Sequence, residues 1–208
     1  MYDHTDKRTP NIWEALVSIR SQQGEGIALI SEEGLTSTFA ELEGYVNQAA
    51  EVLRDWGINL KDRVALVTDN GPHAVTAFLS LFSVCACFPQ NPSSSYEESL
   101  KYLRDGSISL ILHKDHLNSD FVIAGRKLDI PVIFFSASDE YPGLISLMQP
   151  QFQKCNVSTI SSGSDIALIL QTSGTTSRPK IVPFSHERLI GTARSFAASL
   201  ELSENDRT

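Results

Sequence analysis

Short apolar runs alternate with amphipathic segments along the chain, and this alternation restricts the fold more than any other feature. Each run is typical of a buried strand, and the segments between runs space apolar residues as on one helix face. This order predicts an α/β fold with a mainly parallel sheet and flanking helices. Earlier in the chain, residues 11–21 favour a helix and residues 27–39 a hairpin around Gly34. The strands predicted for the sheet are residues 63–68, 108–112, 131–135, 166–170 and 180–184.

Start and stop signals mark two of the predicted helices. Thr38 and Glu41 have the spacing of a capping box, which predicts a helix that begins at Phe39 and ends at Gly57. Pro72 suits the first turn of a second, apolar helix. The side chains expected on one face of that second helix are Val75, Phe78, Leu79 and Phe82.

Two more helices are predicted nearer the C-terminus. Ser94 with Glu97 forms the pattern of another capped start, and Ser185 is placed to begin the last helix. The residues expected on the buried face of the last helix are Leu189, Ile190, Ala193, Phe196, Ala197 and Leu200. Residues 136–163 are polar and show no firm element, so they are interpreted as a mobile connection.

The composition is that of a folded domain. The chain has 208 residues, 41% hydrophobic and 20% charged, so it can bury a core as one domain or as part of a larger one. Its net charge is −8 and it has no cluster of Lys or Arg, so nucleic acid and anionic membranes are not expected partners. The longest apolar run, residues 74–88, is shorter than the about 20 residues that span a bilayer, and is predicted to be a core helix.

Cysteine usage and the N-terminal sequence bear on the compartment. Cys85, Cys87 and Cys155 lack the spacing of a structural zinc site, so they are interpreted as small buried residues in a reducing environment. The N-terminus has no apolar segment, so no secretory signal is expected. A cytoplasmic location is the expectation that follows.

Three histidines could suggest functional sites. His113 and His116 have the spacing of a metal-binding pair but lack further ligands, so solvated loop histidines are the favoured interpretation. His186, at the start of the last helix, is interpreted as a capping or packing residue.

The most informative stretch is residues 171–180, which read Gln-Thr-Ser-Gly-Thr-Thr-Ser-Arg-Pro-Lys after a predicted strand. Hydroxyl side chains, a glycine that permits close backbone approach and a lysine together suit a polyphosphate. The spacing is not that of a Walker A loop, because no Gly-Lys-Ser/Thr follows Gly174 and Lys180 leads into a strand. The alternative is a solvated Ser/Thr-rich turn, which composition alone favours.

The order of these residues closely resembles a known signature. Residues 172–180, followed by Val-Pro-Phe-Ser-His, resemble the phosphate-binding motif of the acyl-adenylate-forming enzymes. That family includes acyl-CoA synthetases, firefly luciferase and the adenylation domains of nonribosomal peptide synthetases. Ser177 and Ile181 stand where the family usually has glycine, and a β-branched residue does not easily hold a positive φ. Further segments that resemble the family are residues 38–42, 62–65 and 77–92.

The resemblance implies a reaction in two steps. A carboxylate attacks the α-phosphate of ATP to give an acyl adenylate and pyrophosphate, and the thiol of CoA or of a carrier protein's phosphopantetheine then takes the acyl group. Lys180 would neutralise the departing pyrophosphate, and Thr176 would approach Mg²⁺, which prefers oxygen ligands. The nucleotide-binding residues that the resemblance implies are Thr172, Ser173, Gly174, Thr175, Thr176, Ser177 and Lys180.

The resemblance also implies that residues 1–208 are the N-terminal portion of an AMP-binding (adenylation) domain, incomplete at its C-terminus. The family's acyl pocket, magnesium-binding glutamate and catalytic lysine would lie beyond this portion. No catalytic residue is therefore assigned, and the chain is not expected to be active alone. An unpaired sheet edge would favour self-association. The alternative is a non-catalytic nucleotide-binding or protein-interaction module derived from such an enzyme.

Overall fold

A computed structural model describes residues 10–148, 161–172, 180–203 and 206 of the chain. The helices are α1 (Ile12–Gln23), α2 (Phe39–Asp55), α3 (Pro72–Phe82), α4 (Tyr96–Asp105), α5 (Phe121–Lys127) and α6 (His186–Ser199). The strands are β1 (Ile27–Ile30), β2 (Thr36–Thr38), β3 (Arg63–Val67), β4 (Ala86–Gln90), β5 (Leu110–Lys114), β6 (Val132–Ala137), β7 (Ile145–Leu147), β8 (Ile166–Thr172) and β9 (Lys180–Ser185).

The central sheet has seven strands in the order β7-β6-β5-β3-β4-β8-β9. The β3, β4, β5, β6 and β8 strands pair in parallel, whereas β7 and β9 are antiparallel to their neighbours. β1 and β2 form the predicted hairpin, which is a separate two-stranded sheet. The mainly parallel α/β architecture expected from the sequence is therefore confirmed.

The core lies on both faces of the sheet, because successive strand side chains point to opposite sides. In β3, Val64 and Leu66 join one buried cluster with residues of α2 and α3, while Ala65 and Val67 join another with residues of α4 and α5. Val64, Ala65 and Val67 are fully buried. This explains why the parallel strands are continuous apolar runs without an exposed polar position every second residue.

The capping signals located two helix starts, one of them a residue early. Thr38 and Glu41 form the predicted capping box of α2. In α4 the capping box uses Ser95 and Glu98, so the prediction of Ser94 with Glu97 was wrong by one residue. The Ser94 N–H instead donates to the Asn91 carbonyl and closes the turn after β4, which leaves the next serine to cap the helix.

The apolar face predicted for α3 contacts the core but does not form its most buried side. Val75 is 38% exposed, and the predicted phenylalanines and leucine are only partly buried. The helix instead packs through smaller side chains, and the Ser80 hydroxyl contacts the Val46 carbonyl of α2 at 3.3 Å. Phe78 and Phe82 still pack against the core cluster of α2 and α3, and Leu79 packs against the cluster formed by α1, β1 and α2. The residues buried in α3 are Thr76, Ala77, Ser80 and Leu81.

Other boundaries also differ from the predictions. The apolar run of residues 74–88 is not one helix, because α3 ends at Phe82 and residues 86–88 belong to β4. The short helix α5 was not predicted, and β7 lies within the stretch interpreted as a mobile connection. β7 has three residues and obtains its backbone hydrogen bonds from β6, so its pairing, more than its own sequence, defines it as a strand.

The last helix begins at the predicted cap but does not bury the predicted face. The Ser185 side chain accepts a hydrogen bond from the Arg188 N–H, as expected for a cap. Phe196 is 62% exposed and Leu200 is 64% exposed, and His186 is the buried residue identified in α6. The apolar stripe predicted as buried is thus largely an exposed surface of the described structure.

Candidate functional site

The ends of β8 and β9 bring two of the predicted nucleotide-binding residues together. Thr172 is the last residue of β8 and Lys180 the first of β9, and the two are direct partners in the antiparallel ladder. Both are exposed. The other predicted residues, Ser173, Gly174, Thr175, Thr176 and Ser177, lie outside the described residues. The structure therefore establishes where the segment 173–179 leaves and rejoins the sheet.

The pairing of β8 with β9 fixes this arrangement. The ladder runs from Ile166 opposite Ser185 to Thr172 opposite Lys180, and β8 also pairs in parallel with β4. Pro183 is tolerated because β9 lies at the edge of the sheet, where its missing N–H leaves no inner strand unpaired. Residues 173–179 therefore follow a strand, β8, that is hydrogen-bonded to β4 on one side and to β9 on the other.

Ile181 occupies an ordinary strand conformation. It lies in β9 opposite Gln171, and it is not among the described non-glycine residues with positive φ. Its side chain packs against the cluster beneath α4 and α5. A β-branched residue suits such a position, so the departure from the family's usual glycine causes no backbone conflict at this residue.

A second candidate feature lies at the same edge of the sheet. A cleft of about 340 Å³ opens where β3 and β4 end. The strand order reverses at β3, which has β4 on one side and β5 on the other, and ligands of open α/β sheets bind at such switch points. The polar residues that line the cleft are Thr68, Asp69, Asn70, Gln90 and Asn91. Sequence reasoning missed this cleft, although polar turns after both strands were a signal.

Charges beside the cleft are paired. The Lys114 ammonium donates to both oxygens of the Asp69 carboxylate at 2.8 and 2.9 Å, and His73 Nε2 lies 2.9 Å from Oδ1 of the same group. Partial burial alone would raise the pKa of Asp69, but the hydrogen bonds from Lys114 and His73 outweigh it, and the pKa is lowered. The pairs tie the ends of β3 and β5 to the start of α3.

His186 is a packing residue, as predicted. It is 1% exposed, and its Nδ1 accepts a hydrogen bond from the Ile12 N–H at 3.3 Å. The backbone N–H of His186 donates to the Asp165 carbonyl at 3.1 Å. Burial lowers the pKa of His186, although Asp165 and Glu14 act in the opposite direction. The residue therefore joins α6 to the N-terminal helix as a neutral ring.

The solvated-loop interpretation was right for His116 and wrong for His113. The His116 side chain is 94% exposed. His113 is fully buried, because β5 extends to Lys114. Its Nδ1 contacts the Lys114 carbonyl at 2.6 Å, its Nε2 has no hydrogen-bond partner among the described residues, and burial lowers its pKa. Within the described ranges no three His, Cys, Asp or Glu side chains form a metal-binding group.

The two buried histidines, His113 and His186, predict that the stability of the fold depends on pH. Their folded pKa values lie below the ordinary 6.5, so the unfolded chain binds more protons at acidic pH. Their stabilising contribution is complete above the ordinary value and is lost as the pH falls toward the folded pKa values. Each group adds at most about 1.4 kcal/mol per pH unit to the slope of unfolding free energy. Urea unfolding of the 208-residue chain at pH 7.5 and at lower pH measures that slope.

One variant checks the assignment. His113→Gln should flatten the slope below pH 6.5, because it removes one of the two buried rings whose pKa is lowered. A full wild-type slope in His113→Gln would contradict the assignment.

The burial predicted for the cysteines is confirmed for the two described residues. Cys85 and Cys87 are free and buried, and burial raises the pKa of each thiol. Neither is therefore suited to act as a thiolate nucleophile. Cys155 lies outside the described residues. Among the described helices, none is long and apolar enough to cross a membrane.

Comparison with known proteins identifies the class to which this fold and strand-end arrangement belong. The family described as AMP-binding enzyme matches residues 17–208. The chain therefore belongs to the AMP-binding enzyme family, and the resemblance drawn from its signature is confirmed. Members of this adenylate-forming family include acyl-CoA ligases and peptide synthetase adenylation domains.

Individual relatives agree with this family. Surfactin synthase subunit 2 from Bacillus subtilis (strain 168) is 27% identical over 99% of this chain and 5% of its own length. Oxalate–CoA ligase from Arabidopsis thaliana is 31% identical over 82% of this chain and 34% of its own length. The solved structure of o-succinylbenzoate CoA synthetase (MenE) from Bacillus subtilis with the acyl-adenylate intermediate OSB-AMP has a TM-score of 0.73 and 25% identity, over 95% of this chain and 48% of that one. The chain thus spans half or less of each relative.

Proposed function

We propose that this chain supplies the phosphate-binding part of an enzyme that activates a carboxylic acid with ATP. A carboxylate oxygen forms a bond to the α-phosphorus while the bond from that phosphorus to the bridging oxygen breaks, and pyrophosphate leaves with that oxygen. The observation that carries the proposal is the pairing of Thr172 with Lys180, which places a hydroxyl and an ammonium on both sides of the signature segment. The acyl-adenylate bound to MenE supports the same chemistry by analogy.

The hydroxyl residues, the glycine and the lysine of this stretch have proposed roles. The hydroxyl side chains and the glycine's backbone contact the β- and γ-phosphates, and Lys180 neutralises charge on the departing pyrophosphate. Displacement at phosphorus depends mainly on such positioning and charge neutralisation. The residues proposed for contact with the nucleotide are Thr172, Ser173, Gly174, Thr175, Thr176, Ser177 and Lys180.

Magnesium is a proposed companion of ATP. The donor set of this segment fits the ion, because hydroxyl and phosphate oxygens are ligands that Mg²⁺ accepts, and Thr176 is the protein ligand proposed. A bound Mg²⁺ would supply further neutralisation of phosphate charge.

The remaining partners follow from the same proposal. The acyl acceptor is the thiol of CoA or of a carrier protein's phosphopantetheine, and the location is cytoplasmic. Residues 1–208 are the N-terminal portion of the adenylation domain. The exposed apolar side chains of α6 and the edge strand β9 support self-association of this portion when it is isolated.

A non-catalytic nucleotide-binding module is the second candidate, and Ser177 in place of the family's usual glycine is the observation that favours it. Ile181 does not add to that case, because it holds an ordinary strand conformation.

Exchange of labelled pyrophosphate into ATP separates the two candidates. The full-length protein should show exchange that depends on one or more members of a carboxylic acid panel, because adenylation is reversible while pyrophosphate is present. Exchange that needs no added acid would point to a different ATP reaction. Binding of ATP without exchange for any acid would favour the non-catalytic module.

A further inference from the structure

The start of α1 is hydrogen-bonded to both chain segments that flank the β8–β9 hairpin, at the end opposite the signature segment. The Asn11 side chain donates from Nδ2 to the Ser161 carbonyl at 2.7 Å, a few residues before β8. The Ile12 N–H donates to His186 Nδ1 at 3.3 Å, directly after β9. Asn11, Ser161 and His186 are each 5% exposed or less. These buried contacts join residues that are 150 and 174 positions apart in the sequence.

The chemistry of each partner fixes the direction of these hydrogen bonds. Asn11 Oδ1 accepts the Glu14 N–H at 2.8 Å as the cap of α1, which leaves Nδ2 to donate to the Ser161 carbonyl. The Ile12 N–H can only donate, so His186 Nδ1 is the unprotonated nitrogen of the ring. A buried polar contact that is satisfied in one arrangement favours that arrangement over others.

Backbone hydrogen bonds extend this attachment to the first turn of α6. The His186 N–H donates to the Asp165 carbonyl at 3.1 Å, and the Glu187 N–H donates to the Gly163 carbonyl at 2.9 Å. The Asp165 carboxylate in turn accepts the Ser162 N–H at 2.7 Å. Residues 11–12, 161–165 and 186–187 therefore form one hydrogen-bonded unit, which we call the hairpin base.

The sheet itself holds this hairpin through few direct strand pairs. β8 has one direct pair with β4, Cys87 with Leu168, whereas β3 and β4 share five. β9 lies at the edge of the sheet and is paired only with β8. The hairpin base therefore adds specific contacts where the ladder of the sheet is sparse.

The length of the hairpin makes its orientation important at the signature segment. Six residue steps separate Ile166 from Thr172, so β8 extends about 20 Å from the hairpin base to its far end. A rotation of about 3° at the base would move that end by about 1 Å over this length. Reactions that depend on positioning can slow by about 10²-fold for a displacement of about 1 Å.

We propose that Asn11 and His186 are positioning residues of the ATP site, which act through the hairpin base to orient the ends of β8 and β9 that carry the signature segment. This inference rests on the proposed function. Both side chains lie at the end of the hairpin opposite Thr172 and Lys180, so they act without contact to the nucleotide.

The test measures kcat for carboxylate-dependent pyrophosphate exchange by the full-length protein, with the acid that gives the highest wild-type rate. Asn11→Ser keeps a capping hydroxyl for α1 but loses the amide that donates to Ser161. His186→Leu removes the acceptor for the Ile12 N–H, whereas His186→Asn places an oxygen at the position of Nδ1. We expect kcat to fall about tenfold or more in Asn11→Ser and in His186→Leu, and His186→Asn to recover most of the lost rate.

Leu53→Ala is the matched control for a loss of stability alone. Leu53 is fully buried in α2, in the cluster that α2 and α3 form with the sheet. Its truncation costs about 2–5 kcal/mol of stability without removing a contact of the hairpin base. All variants are assayed at a temperature at which the melting curve of each shows it to be folded, and Leu53→Ala should then keep the wild-type kcat.

Each outcome decides a different point. Wild-type kcat in Asn11→Ser and His186→Leu would overturn the inference and leave the proposed function standing. An equal fall in Leu53→Ala would assign the effect to general stability and would also overturn the inference. A rate in His186→Asn as low as that in His186→Leu would overturn the role of Nδ1. Absence of carboxylate-dependent exchange by the wild-type protein would overturn the proposed function, and the inference with it.

Discussion

Replacing Lys180 with alanine slows carboxylate-dependent adenylation by the full-length protein by about 10²-fold or more, as expected when a preorganised electrostatic donor is removed. Lys180 is exposed at the first position of β9, opposite Thr172, so its ammonium is free to reach an anion held by the intervening segment. The effect should fall on kcat in pyrophosphate exchange, because the charge that Lys180 neutralises grows as pyrophosphate leaves.

Lys61→Ala is the matched control for that experiment. Lys61 is also exposed, but it precedes the first residue of β3 and so lies at the amino end of the parallel strands. Its loss should leave exchange within about twofold of wild type, as expected for an exposed charge at the opposite end of the parallel strands, which salt and solvent screen. Equal rates for Lys180→Ala and wild type would remove Lys180 from the mechanism.

Replacing Phe88 with alanine destabilises the 208-residue chain by about 3–5 kcal/mol. Phe88 is 1% exposed in β4 and belongs to the cluster between the sheet and the α4 and α5 helices. Its loss combines the transfer cost of a large apolar side chain with the cost of a cavity. Since domains of this kind are stable by about 5–15 kcal/mol, the variant should unfold at a much lower urea concentration.

Phe196→Ala separates this packing effect from the loss of an aromatic ring in general. Phe196 is 62% exposed on α6, so the same substitution should change the unfolding free energy of the monomeric 208-residue chain, at concentrations below any self-association, by less than about 0.5 kcal/mol. A comparable loss in both variants would contradict the assignment of Phe88 to the core and of Phe196 to the exposed surface.

The parts of the fold that were predicted correctly depend on local sequence patterns. The β3 and β8 strands are continuous apolar runs, and Thr38 with Glu41 reports the start of α2 directly, because the interacting groups lie within one turn. The α4 start was one residue away because Ser94 and Ser95 are both followed by a glutamate at the capping-box spacing. Only the turn after β4 decides between them.

The errors concern features that depend on distant contacts. The buried face of α3 is set by its close approach to α2, where Ser80 contacts Val46. His113 is buried because β5 is paired on both sides, by β3 and by β6. A periodic pattern reports which residues share a face, but the packing partner determines whether that face is buried.

The candidate site also combines features that local sequence reports with features that depend on distant contacts. The signature after β8 is a continuous sequence, so the family could be predicted from it without a structure. The cleft where β3 and β4 end depends on the order of strands in the sheet, so local patterns could not predict it.

A structure of the full-length protein with MgATP tests the central claim most directly. The account predicts that the triphosphate lies against residues 172–180, with a phosphate oxygen within about 3.2 Å of Lys180 Nζ. A triphosphate bound elsewhere, with Lys180 far from any phosphate oxygen, would contradict it.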